Sequence, residues 1–326
     1  MTQVKEPAAP HHVEDEFVFR PFDMDRDVLP LLRLINEIEA IDQVDEGRSE
    51  SELRASLTWP EGDPARDRVV VAEPGRPERL IAAVTTWKAS TTDRADVRIM
   101  VHPDWRRRGL GRALLARGLA RAREKGAVYL SAGHDNRMRA AGAFLHAHGF
   151  RPTATWIQMR CAAEVPLAEP VYPAGYTVRP QSEVQSVPVV AEALNRGFIG
   201  HFEHRDATDT EVAHWLGTDH TRPDGIFLAF DPAGEPAGIC WAEINPDHSA
   251  RRGRPTGYID SLAVVPEHRR HGLGRALLLE GMRWLRANGQ ATIELDAWGE
   301  NERALPLYEG AGFRISRQGQ SYERTL

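Results

Sequence analysis

At 326 residues the chain is longer than one ordinary core and suits two, since domains run to roughly 100–200 residues. Hydrophobic residues make up 41% and charged ones 27%, a globular balance, and no apolar run nears the ~20 residues of a membrane span. With 47 acidic against 41 basic side chains the net charge is −6, which argues against a nucleic-acid partner, whose grip rests on Lys and Arg neutralising phosphates.

Residues 1–16 are polar, hold Pro7, Pro10 and a His11-His12 pair, and carry neither a signal peptide nor an Arg-rich transit segment. A disordered tail and a cytoplasmic protein are expected. Phe17 to Pro21 reads as a first strand that gives way to a polar, periodic stretch. Further on, the run Arg106 to Leu115 is nearly the same decapeptide as Arg269 to Leu278, at an offset of 269 − 106 = 163. The offset holds at Pro103/Pro266, Gly126/Gly289 and Gly149-Phe150/Gly312-Phe313, so one unit is present twice. Residues 163–175, with Pro166, Pro170 and Pro173, have linker chemistry. The expected domains are therefore 17–162 and 176–326.

The second unit begins with a strand at Tyr176 to Pro180. A hairpin follows: Ile226 to Phe230, a turn at Asp231 to Gly234, then Gly238 to Ile244. Tyr258 to Val265 is a strand stopped by Pro266, and Gly274 to Ala287 is a helix closed by Asn288-Gly289. A strand at Ala291 to Ala297, a helix at Glu302 to Ala311 and a last strand complete an α/β unit with a mixed, mostly antiparallel sheet flanked by helices.

A strand that runs through Arg-Arg-x-Gly-x-Gly straight into a helix leaves several backbone N–H groups aimed at one spot, at the positive end of the helix dipole. Such a spot takes an anion. Side chains at Gly272 or Gly274 would block a pyrophosphate, while Arg269, Arg270 and Arg275 add charge. No Gly-Lys-Ser/Thr follows, and the third glycine of a dinucleotide fingerprint is replaced by Leu277, which disfavours nucleoside triphosphates and NAD.

Strand, Arg-x-x-Gly-x-Gly, helix, strand and then Asn301-x-x-Ala304-x-x-Leu307-Tyr308-x-x-x-Gly312-Phe313 resembles the GNAT superfamily of acyl-CoA N-acetyltransferases, in both halves. The resemblance implies that acetyl-CoA is the co-substrate. It places Leu262, Ala263 and Val264 on the pantetheine arm, Arg269, Arg270, His271, Gly272, Leu273, Gly274 and Arg275 on the pyrophosphate, and Asn301 on the cofactor from the other side. It also makes Tyr308 the general acid for the departing thiolate. The equivalent position in the first unit, 308 − 163 = 145, is Leu145, which donates no proton. That half is expected to lack chemistry while keeping CoA contacts at Ile99, Met100, Val101, Arg106, Arg107, Arg108, Gly109, Leu110, Gly111 and Arg112.

Asp260 precedes the turn on its strand, and strand alternation puts it on the face of Tyr258 and Leu262, so it is the first candidate for the general base. Glu243 and Glu294, on neighbouring strands, come after it. Gly197 to Glu203, Asp224 to Phe230 and Pro246-Asp247-His248 are similar to the mycothiol synthase branch of the superfamily, which acts on a cysteinyl amine. That branch carries a carboxylate where Tyr258 stands and a basic residue where Glu243 stands. Glu203, Glu243 and Tyr258 are accordingly candidates for acceptor recognition. His201, His204 and His214 lack metal-ligand spacing, as do Cys161 and Cys240, so no metal is expected. The sequence leaves open a small-molecule amine, a cysteinyl amine, a protein or peptide N-terminus, or a CoA-binding module without catalysis, in a monomer or homodimer.

Overall fold

A computed structural model describes residues 13–44, 47–201, 204–298 and 304–326. Six strands come from the first unit: β1 (Phe19–Pro21), β2 (Arg68–Glu73), β3 (Arg76–Trp87), β4 (Arg94–Val101), β5 (Tyr129–Asp135) and β6 (Arg151–Cys161). Six come from the second: β7 (Thr177–Pro180), β8 (Ile226–Phe230), β9 (Pro236–Ile244), β10 (Thr256–Val264), β11 (Thr292–Trp298) and β12 (Arg314–Thr325). Together they form one sheet in the order β1-β2-β3-β4-β5-β12-β6-β11-β10-β9-β8-β7. Pairing is antiparallel except at β4–β5 and β10–β11.

At the middle of this sheet the units exchange their last strands. β12 lies between β5 and β6, and β6 lies between β12 and β11. Each unit's closing strand therefore satisfies the backbone of the other's fifth strand, and the sheet has no seam where the sequence has its linker. Residues 163–175 hold no helix or strand and lie along the second unit, where the Tyr172 hydroxyl donates to Glu280 at 2.7 Å.

The repeat reappears as one helix per half, Leu110–Glu124 on β3 and β4 and Leu273–Ala287 on β9 and β10. Leu114, Leu115, Leu277, Leu278 and Leu285 are fully buried. Gly118 and Gly281 stand at the same offset, 281 − 118 = 163, and let helix and strand touch. A Cβ would come within 2.9 Å of Val97 at Gly118 and within 2.6 Å of the Cys240 sulfur at Gly281. β8 is buried along its whole length, which explains its unbroken apolar run.

Within the expected disordered tail, Val13–Glu16 form a short helix. Two of its acidic side chains, Glu14 and Glu16, find arginine partners. The last predicted helix is observed as Leu305–Gly310; Glu302 lies outside the described residues. No helix among those described is long and apolar enough to cross a membrane.

Candidate active site

The parallel strands β10 and β11 pair only from Thr256/Thr292 to Ile259/Leu295 and then diverge. Beyond that point β10 stays on β9, and β11 stays on β6. The wedge between them opens into a cleft of about 1550 Å³ lined by Leu262, Ala263 and Val264 on one side and Asp296, Ala297 and Trp298 on the other. Gly272, Gly274, Arg275 and Tyr308 line the same cleft. So does Trp156, on β6 from the first unit, a residue the strand exchange carries over and no local sequence signal marks.

Asp260 marks a β-bulge. Ile259 faces Ala242 and Ser261 faces Trp241, so Asp260 has no partner on β9. Alternation along the strand, which the sequence predicts apart from any bulge, is interrupted at this residue. The bulge turns Asp260 into the cleft and also into a second cavity of about 490 Å³, walled by Asn195, His204, Trp215, His220, Trp241 and Glu243. Phe198 and His201 border both spaces as well.

Three carboxyl groups gather here, and their surroundings set them apart. Burial, reinforced by the nearby Asp260 charge, pushes Glu243 up to about 8. Burial also raises Asp260, opposed by the Ser261 hydroxyl donating at 2.9 Å and by His220. Glu243, raised to about 8 even with the Thr221 hydroxyl donating to it at 3.5 Å, holds the proton of the pair at neutral pH. Asp296 is raised by burial and hydrogen-bonds the Tyr258 hydroxyl. Tyr258 does not line either cavity and meets the cleft through that carboxylate. Glu294 is a different case: Arg160, Arg252 and His248 surround it at 2.6, 2.7 and 3.2 Å, and these partners bring its pKa down to about 2 despite full burial. Its lone pairs are occupied, which removes it as a base.

Tyr308 is buried against Phe313, ring centroids 6.2 Å apart, and burial pushes its phenol up to about 12. It therefore keeps its proton across the neutral range. At the turn, Gly272 has φ 87°, and a Cβ there would meet nothing within 4 Å. Arg269 is committed to structure: its guanidinium donates to the carbonyls of Val264, Gly197 and Ile199 at 2.8, 3.0 and 2.9 Å. Arg270 and Arg275 are exposed at the turn, and Leu273 is buried in the core, so only its backbone faces the anion site. His271 is exposed and does not line the cleft.

The first half repeats the turn and closes it. Arg106 takes both oxygens of Asp42, Arg108 lies 3.9 Å from Glu16, and Arg117 pairs with Glu14 at 2.8 Å. Val13 comes within 3.7 Å of where a Cβ on Gly109 would lie. β4 also pairs with β3 in unbroken register, and Val97 stands where Asp260 does, 260 − 163 = 97. Ile99 and Val101 pack against the core of that half, and Met100 against a neighbouring cluster. Arg107 repeats the left-handed backbone of Arg270, with φ 65° and 67°. Asn301 and Glu203, both singled out in the sequence, lie outside the described residues. Among those described, no group of three or more metal-ligating side chains converges. Asp296, His220, Trp215 and Trp241 were missed from sequence. Asp296 alone had a signal, being the last carboxylate of a strand already placed beside the turn.

A splayed parallel pair, a bulge and a glycine-lined anion turn define an acyltransferase of the GNAT type. Residues 188–313 match the acetyltransferase (GNAT) family and residues 65–152 match an acetyltransferase (GNAT) domain, and the chain belongs to that family of acetyltransferases. It is 31% identical to the mycothiol acetyltransferase of Segniliparus rotundus over 78% of this chain and 89% of that one. It is 33% identical to that of Frankia casuarinae over 69% and 66%. The fold matches a GCN5-related N-acetyltransferase from Sphaerobacter thermophilus, with TM-score 0.73, 22% identity and 95% and 96% coverage. It also matches a tandem GNAT protein from the clavulanic acid biosynthesis pathway, with TM-score 0.70, 21% identity and 95% and 98% coverage.

Proposed function

We propose that the second half transfers an acetyl group from acetyl-CoA to a primary amine of a small molecule by direct attack. One observation carries the reading: the cleft that begins at the Gly272 turn and the cavity behind it share Asp260, Phe198 and His201, so two substrates can meet there. The bare amides of the turn, with Arg270 and Arg275, suit a pyrophosphate. The edge of β10 freed by the splay offers Leu262 to Val264 backbone groups to a pantetheine amide. The amine nitrogen bonds to the thioester carbon, its proton passes to Asp260, and the carbon–sulfur bond breaks to leave thiolate.

Tyr308 answers the thiolate by hydrogen bonding. With the phenol near 12 and a free thiol near ~8.5, full proton transfer runs uphill. Donation to sulfur as charge develops is the more economical role. The first half, with Leu145, Val97 and its carboxylate-paired arginines, has neither acid nor base and does not hold CoA. The likeness to mycothiol acetyltransferases favours a second reading, a cysteinyl amine as acceptor, and free buried thiols at Cys161 and Cys240 suit a reducing cytoplasm. Thiol release from acetyl-CoA, measured over a panel of primary amines, tests the proposal. Amine-dependent release is expected; tight CoA binding with no turnover on any amine would leave a non-catalytic binding module, and turnover on peptides alone would shift the acceptor class.

A further inference from the structure

The wall of the smaller cavity comes from the second half of the chain and is backed by the first. His204, Arg205, Ala207, Trp215 and Thr218 line it, all from one stretch that includes the helix Asp209–Leu216. On its own half this stretch is tied at two points. Asn195 bonds the Ala207 backbone in both directions, at 2.8 and 3.0 Å, and Arg205 forks onto Glu211 at 3.0 and 2.8 Å. On its other side it leans on the first half. Trp59 packs against Trp215 and His214, with centroids 5.6 and 5.7 Å apart, and against Trp87 at 5.7 Å. The Arg205 guanidinium lies over the Trp87 ring at 5.2 Å, and the Thr91 hydroxyl donates to the Asp206 carbonyl at 3.1 Å.

These first-half residues are coupled to one another. Glu61 accepts from the backbone and hydroxyl of Ser90 at 2.6 and 2.7 Å, which fastens the loop after Trp59 to the loop that carries Thr91. Arg205 is held by Glu211 on one side and an aromatic face on the other, so it is a fixed part of the wall and not a free hook for an anion.

We infer that the catalytically silent first half positions the acceptor wall of the second, with Trp59 and Trp87 as the positioning residues that set acceptor affinity through Trp215 and Arg205. Trp59 touches the back of a residue whose front lines the cavity, so deleting it leaves space into which the wall relaxes. Acetyl-CoA enters the other cleft, lined by β10, β11 and the turn, and Trp59 lines neither space. Acceptor and co-substrate binding should therefore respond differently. The inference rests on the proposed acetyl transfer for its kinetic arm only.

The test compares the full chain with Trp59→Ala and Trp59→Phe by hydrogen–deuterium exchange and by kinetics with two probe amines, phenethylamine and S-methylcysteine methyl ester. In Trp59→Ala, exchange at 204–218 should rise while 262–280 stays as in the parent. KM for whichever probe is turned over should rise about 10-fold, with KM for acetyl-CoA within twofold. Trp59→Phe should recover most of both effects. Unchanged exchange at 204–218, or a rise spread evenly over the chain, would overturn the inference. If the parent turns over neither probe, the exchange result still decides the wall's support, and the failure belongs to the acetyl-transfer reading.

Discussion

Gly109 and Gly272 close the same turn in the two halves, with φ 87° in both and ψ −10° and −9°, and they differ in what stands over them. Val13 covers the first, with Glu16 and Glu14 beside Arg108 and Arg117, and a Cβ on the second would meet nothing within 4 Å. Titration calorimetry should accordingly give one CoA per chain. Gly274→Ala should weaken CoA at least ~10-fold by crowding the phosphates. The fold should tolerate it, because the new methyl would sit 3.4 Å from Val264. Gly111→Ala, with 3.5 Å to Phe144, should leave affinity unchanged. Two CoA per chain would contradict this account.

Tyr308→Phe keeps the ring and its packing and removes only the hydroxyl. Loss of an acid or donor at the leaving group costs roughly 10²–10⁴ in rate. Steady-state measurements should show a fall in kcat of that size, with KM for acetyl-CoA within twofold. The converse substitution, Leu145→Tyr, should gain nothing, because Val97 and the unbulged β4 give that half no base. A Tyr308→Phe enzyme of full activity would remove the phenol from the mechanism.

Much of this was legible because the repeat is local. Offsets of 163 align the turns, the helices and the missing phenol without any tertiary information. What sequence could not show is non-local. The exchange of β6 and β12 depends on which edge each last strand finds, which no local pattern states. The bulge at Asp260 follows from register against β9, not from any residue signal. Glu294 read as a candidate base because its three partners are Arg160, Arg252 and His248, of which the first is more than a hundred positions away. Glu14 and Glu16 read as solvated tail for the same reason.

The Asp260–Glu243 pair predicts the alkaline rise of the pH profile. At low pH both carboxyls hold protons and Asp260 accepts none from the amine. As pH rises the pair loses its first proton and kcat/KM for the amine climbs. Burial raises both groups, and the Asp260 charge adds to the rise at Glu243; Glu243 still holds its proton while Asp260 loses its own, so Glu243→Gln, which keeps a neutral neighbour, should leave the inflection in place. Asp260→Asn should abolish the inflection and lower kcat about 10²-fold or more. An inflection moved clearly to lower pH by Glu243→Gln would mean that Glu243 already carries charge when Asp260 titrates.

Glu294 and Arg160 are direct partners across β11 and β6, so their ion pair fastens one half's closing strand to the other's sheet. Glu294 drops from an ordinary 4.5 to about 2 in the fold. Its contribution to stability is complete above the unfolded value of 4.5 and disappears as pH falls through the folded value near 2. That displacement corresponds to about 3 kcal/mol, in line with the cost of breaking a buried pair. Glu294→Gln should therefore lower Tm at pH 7 by roughly 5 °C or more and flatten the dependence of stability on pH between 5 and 2. Paired denaturant melts of parent and variant at pH 7 and pH 3 check both effects. Equal losses at the two pH values would show that the carboxylate is not what holds the exchanged strand.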